Sequence, residues 1–93
     1  MRLPVNYTEL TAQQRRLARE EYISRQGGAC SHCHAPLRDP PHPTMLAKTV
    51  NLSLFPTGFF RYSIHLHHDH ETGMTKGAVH ARCNAILWQY HGE

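Results

Sequence analysis

The chain has 93 residues, nine of them His and three Cys, with a net charge of +3 when histidine is neutral. That length holds one domain with a thin core, in the size range where a metal or a disulfide often supplies what the core cannot. Apolar residues at 40% and charged residues at 18% exclude a disordered tail, a collagen-like chain and a multidomain assembly. No apolar run approaches the roughly 20 residues that cross a bilayer. The opening MRLPVNYTEL has no apolar stretch ending at a small-residue cleavage site, so no signal peptide is expected. Three cysteines cannot all pair within one chain. A reducing, cytoplasmic compartment is therefore expected, where close cysteines hold metal more often than each other. The basic balance permits a nucleic-acid partner without identifying one.

Residues 11–26, TAQQRRLAREEYISRQ, predict a helix. Thr11 and Gln14 make a capping box, and Leu17, Ala18, Tyr22 and Ile23 recur at helical spacing before Gly27 and Gly28 stop it. Arg15, Arg16 and Arg19 crowd one stretch, either as a solvated face or as phosphate contacts. Residues 29–44 open with CSHCH and hold four prolines, so no regular element is expected there. Over 45–60 the alternation of Val50, Leu52 and Leu54 suggests a short strand before a turn at Phe55–Gly58. Residues 59–68, FFRYSIHLHH, predict a strand with Tyr62, Ile64 and Leu66 toward the core and Arg61, Ser63 and His65 opposite. A polar turn around Gly73 leads to a short strand at Gly77–Val79. A helix then runs to Gly92 with Ile86, Leu87 and Tyr90 as its apolar stripe. The whole is expected to be a single α+β domain over 1–93. Its parts are an N-terminal helix at 11–26, a metal half-site and irregular loop at 29–58, and a strand–turn–strand–helix core at 59–91.

Cys30-x-x-Cys33 and His80-x-x-Cys83 are two half-sites far apart in the chain. Structural zinc takes four N or S ligands in a tetrahedron, and each two-residue gap lets a pair of side chains turn toward one ion. The second pair lies where a strand becomes a helix, so its members sit one turn apart on one side. Such a clip contributes directly to folding. His32 and His34 are alternative ligands to His80, and Cys30 with Cys33 could instead form a redox pair, although no βαβ pattern surrounds them.

His65, His67, His68 and His70 fall within six residues beside Asp69. Packing accounts poorly for four of them, because a buried polar group costs free energy unless it finds a partner. On a regular strand His67 and His68 point to opposite faces, so both serve one site only where the strand ends. Asn84 follows Cys83 on the next helix. One short unit thus offers a nitrogen base, a metal-binding nitrogen and an amide oxygen, the parts that phosphodiester hydrolysis needs.

The stretch LHHDHETGMTKGAVHARCN, with CSHC upstream, resembles the core of the HNH, or ββα-metal, nucleases, and within them the phage recombination endonuclease VII-like subgroup. The likeness is tight over residues 66–84. It implies a ββα-metal fold and a DNA endonuclease that nicks one strand. It also implies a catalytic divalent ion (Mg2+, Mn2+, Co2+ or Ni2+), a separate structural Zn2+ and often a phage source. Carried over by position, His68 is the general base, His70 stands near the scissile phosphate, and His67 and Asn84 hold the divalent ion. Cys30, Cys33, His80 and Cys83 hold zinc. His67 stands where the subgroup usually has Asp, which favours softer ions over Mg2+. Leu87 stands where an acidic residue is found in the family, and the middle Asn of the family name has no clear counterpart. Lys76, Arg82 and Arg61 are the candidate DNA contacts. DNA is the expected partner, with no membrane partner, and the chain is expected to be a monomer or weak dimer. The contrasting expectation is a noncatalytic zinc module that docks on nucleic acid or on phage packaging proteins.

Overall fold

The computed structural model describes all 93 residues. Helix α1 spans Ala12–Arg25 and begins with the expected capping box: the Thr11 hydroxyl accepts the Gln14 N–H, and the Gln14 side chain accepts the Thr11 N–H. Ala18 is its one buried residue. Tyr22 and Ile23, four and five positions on, pack partly buried against the core. Leu17, expected in the same stripe, is exposed, because the face set by Ala18 and Tyr22 turns it outward between the arginines.

Three stretches depart from expectation. Pro43–Leu46 forms a one-turn helix, α2, inside the proline-rich segment. Proline at a first helical position loses no hydrogen bond, and the His42 ring accepts the Thr44 N–H. Leu52–Leu54 is a 3-10 turn and not a strand. The Asn51 side chain caps it by accepting the Ser53 N–H, and alternation without a neighbouring strand has nothing to pair with. Residues 59–63 are also not strand, and Tyr62, expected toward the core, is 68% exposed.

The sheet has two antiparallel strands, β1 (Ile64–His68) and β2 (Thr75–His80), with Ile64 opposite His80 and a register irregularity between His67 and His68. The turn between them is built on Asp69, whose carboxylate accepts the Glu71 and Thr72 N–H groups. The far edge of β2 is covered. Gln26 exchanges hydrogen bonds with both the N–H and the carbonyl of Ala78, and the Thr75 N–H donates to Val5. Gly77 makes this close cover possible: a Cβ there would stand 2.8 Å from the Ser31 hydroxyl and 3.0 Å from the Gln26 amide oxygen. Helix α3, Ala81–His91, follows β2 without a loop and ends at Gly92 in the left-handed conformation. Ile86 and Leu87 of the expected stripe are buried. Tyr90 is exposed, and its hydroxyl donates to the Thr49 carbonyl.

The central hydrophobic cluster contains Cys30, Leu37, Ala78, Val79 and Cys83. Two of these five belong to the cysteine–histidine half-sites, so the core and the half-sites are one region. The result is a small α+β domain, and no helix is long and apolar enough to cross a membrane.

Candidate metal centre and histidine cavity

The ligand atoms of Cys30, Cys33, His80 and Cys83 all lie within 4.8 Å of one another. The local folds explain why. Cys30 donates its N–H to Ala35, and His34 takes a positive φ of 68°, which curls CSHCH into a knuckle. That curl leaves His34 exposed, and neither His32 nor His34 belongs to the cluster. The second half-site stands at the junction of β2 and α3, where His80 is the residue just before the helix and Cys83 lies in its first turn.

The distances suit a tetrahedral ion. Bonds of ~2.3 Å to sulfur and ~2.0 Å to nitrogen require S···N edges of about 3.5–3.6 Å. His80 Nδ1 lies 3.5 Å from Cys33 Sγ and 3.7 Å from Cys83 Sγ. The other ring nitrogen settles the tautomer: Nε2–H donates to the carbonyls of Asp39 at 2.9 Å and Pro36 at 3.0 Å. Nδ1 is left with its lone pair toward the sulfurs, and its orientation is held by the backbone. The Cys83 thiol and neighbouring backbone N–H groups hold the Cys30 thiol down, to about 3, and the His32 N–H reaches its sulfur at 3.4 Å. Sharing its proton with Cys30 pushes Cys83 up, and burial adds to this. A thiolate ready in the buried cluster is the form that binds metal. The Cys3His set is compatible with a structural metal such as zinc.

The histidines of β1 have different partners: His65 meets Asn84 of α3, His67 meets Glu93 just after that helix, and His68 meets Tyr7 of the N-terminal segment. Asn84 Nδ2 donates to His65 Nδ1 at 3.1 Å. His67 is buried, 5% exposed, and its Nε2–H donates to the main-chain oxygen of Glu93. The two residues expected to share a divalent ion, His67 and Asn84, therefore have separate partners. The Asn84 partner is His65, to which the sequence had assigned nothing. The Cys3His set is the one cluster of three or more His, Cys, Asp or Glu ligand atoms in the molecule.

His68 stacks flat on Tyr7, with ring centroids 3.9 Å apart and planes 8° apart. The Arg15 guanidinium lies 3.9 Å from the centroid of the same Tyr7 ring. His70 stands 4.9 Å from His68. Burial, and then the His70 charge, hold His68 below the ordinary 6.5. His65 and His67 are lowered chiefly by burial. His65, His68, His70 and Asn84 all line one cavity of about 620 Å3, and Arg15, Arg16 and Arg19 line it too. No family model, curated protein or solved structure matches this chain.

Of the three cations expected to contact DNA, Lys76 and Arg82 have partners within the chain. Lys76 pairs with Glu93 at 3.1 Å and stands 3.9 Å from Asp69. Arg82 donates to the carbonyls of Met45 and Lys48, tying α3 to the segment around α2. Arg61 is exposed beside Tyr62. The arginines that face the histidines are those of α1. Tyr7 carried no signal in the sequence. It reaches His68 because the Tyr7 N–H donates to Gly73 and Asn6 pairs with Met74, contacts between segments far apart in the chain.

Proposed function

We propose that this chain is a metal-dependent DNA endonuclease of the HNH, or ββα-metal, type that nicks one strand and is stapled by a structural zinc. The observation that carries the proposal is the convergence of His65, His68, His70 and Asn84 on one cavity rimmed by three arginines. Hydrolysis of a phosphodiester needs a base for water and positive charge for the phosphorane. His68 is the base, its neutral form favoured by burial and then by His70, with its ring stacked on Tyr7. Arg15, Arg16 and Arg19 hold phosphates, and His70 stands beside the base to contact the scissile one. A divalent ion (Mg2+, Mn2+, Co2+ or Ni2+), when bound, would supply charge to the leaving 3′-oxygen. Asn84 would offer its Oδ1 to such an ion, since its Nδ2 is the atom bonded to His65. The resemblance assigns His67 as the first ligand and Asn84 as the second, whereas His65 is the histidine in contact with Asn84. The zinc assignment rests on the donor distances and on the His80 tautomer.

A second reading is a noncatalytic zinc module that docks on nucleic acid. It is favoured by the burial of His67 and its bond to Glu93. Incubation of supercoiled plasmid with each of the four divalent ions separates the two. The nuclease reading expects open-circular product from the wild type and none from His68→Ala. An inactive wild type across all four ions, or a variant that cuts equally well, leaves the docking reading in place.

A further inference from the structure

Next to the arginine-rimmed cavity lies a second one of about 290 Å3, lined by Leu54, Phe55, Phe59 and Trp88 together with His70 and Asn84. His70, Asn84 and Phe59 line both cavities. One side of the shared wall is basic and the other aromatic. Phe55 meets Phe59 at 4.8 Å and Trp88 edge-on at 5.7 Å, while Trp88 remains 42% exposed. Leu52, Leu54, Phe60 and Tyr62 are also exposed nearby in the chain. An apolar surface of this kind beside a polar rim marks a binding face.

We propose that the aromatic cavity takes an unstacked base of the DNA strand whose phosphate lies against the arginines, so that the substrate is single-stranded or locally opened DNA. The phosphate half of this rests on the nuclease reading given above. The juxtaposition is that of a nucleotide: a cationic subsite for phosphate and, across His70 and Asn84, a ring-lined subsite for a planar base. In a paired duplex the base faces are hidden in the stack, and only a base outside it can lie on Trp88. Charge decides between a base and an apolar peptide as occupant. Arg15, Arg16 and Arg19 line the adjoining cavity with no acidic residue among its lining, which suits a polyanion. Stacking on rings is tolerant of sequence, so little base preference is expected.

Trp88 is the only tryptophan in the chain, so its emission reads the cavity directly. The metal-loaded protein is titrated with a short phosphorothioate oligothymidylate, with an abasic strand of equal length, and with a fully paired duplex. Quenching by the oligothymidylate alone is the expected result. Trp88→Ala should bind the oligothymidylate about tenfold more weakly, and Trp88→Phe, which keeps a ring, should retain most of the affinity. Equal quenching by the abasic strand, or no quenching by the oligothymidylate, overturns the proposal. Plasmid nicking that still depends on His68 would then leave the nuclease reading standing. Quenching by the oligothymidylate in a protein that nicks nothing supports the base site and removes the nuclease reading.

Discussion

Stripping the metal from the Cys3His cluster should unfold the domain. Only 16 of 93 residues are buried, and Cys30 and Cys83 belong to the central cluster, so the core cannot stand in for the ion. Cys33 and His80 lie 47 positions apart. Closing a loop of that length removes about 4 kcal/mol of unfolded-state entropy on a chain-entropy treatment of the cross-link. A domain of this size has about 5–14 kcal/mol of stability in total. Loss of the clip alone therefore corresponds to a fall in Tm of about 16–32 °C, before the unpaired thiols are counted. The assay is dialysis against a chelator at neutral pH, followed by elemental analysis, far-UV circular dichroism and a thermal melt. The expected result is one zinc per chain before treatment, loss of the cooperative melt after it, and recovery on adding one equivalent of zinc. A metal-free protein that melts cooperatively within a few degrees of the loaded form would refute the staple.

His68→Ala should abolish plasmid nicking while shifting Tm by no more than a few degrees, because the ring is half-buried at the surface; nicking within twofold of wild type would remove the base. Tyr7→Phe should cut like wild type and Tyr7→Ala should cut more slowly with an altered pH profile, measured under single turnover; identical profiles would mean that the stack with His68 has no role. Burial and His70 hold His68 below 6.5, and a divalent cation nearby pushes the same way. The rate should therefore be level above neutrality and fall as pH drops through the lowered value, and a rate still climbing well above neutrality contradicts this. His65→Ala and His67→Ala should differ: loss of divalent-ion affinity with the first alone points to the observed His65–Asn84 pair, and with the second alone to the ligand assigned by resemblance. With His67 as the ligand, Mn2+, Co2+ or Ni2+ should outperform Mg2+ by a larger ratio in the wild type than in His67→Asp, as nicking rates across the four ions will show; an unchanged ratio points away from His67.

The local signals in the sequence were strong where neighbouring residues decide structure. The Thr11–Gln14 box, the glycines after α1 and after α3, and the β1–turn–β2–α3 succession all follow from contacts a few positions apart. So do the two half-sites, because each is a short-range pair, and their meeting was inferable from the needs of one ion. The failures are long-range. Leu52 and Leu54 alternate like a strand but have no strand to join. Tyr62 continues the alternation of β1 past the point where β2 ends at His80, so nothing covers it. The partner of Asn84 depends on how β1 lies along α3, and no spacing in the sequence reports that. Tyr7 depends on the pairing of Asn6 with Met74.

The metal centre and the histidine cavity are not independent, although they use different side chains. Cys83 and Asn84 are consecutive residues in the first turn of α3, and His80 ends the strand that pairs with β1. A metal on His80 and Cys83 therefore fixes both the start of the helix that carries Asn84 and the strand that sets the register of His65. The dependence runs one way. Substituting His65, His68 or Asn84 removes no member of the Cys3His set and should leave the metal content at one per chain. Substituting Cys83 should abolish both metal binding and nicking, because the cavity loses the wall that α3 provides. A Cys83→Ser protein that lost its metal yet still nicked plasmid in a His68-dependent way would show that the cavity assembles without the staple, and the coupling between the two sites would have to be given up.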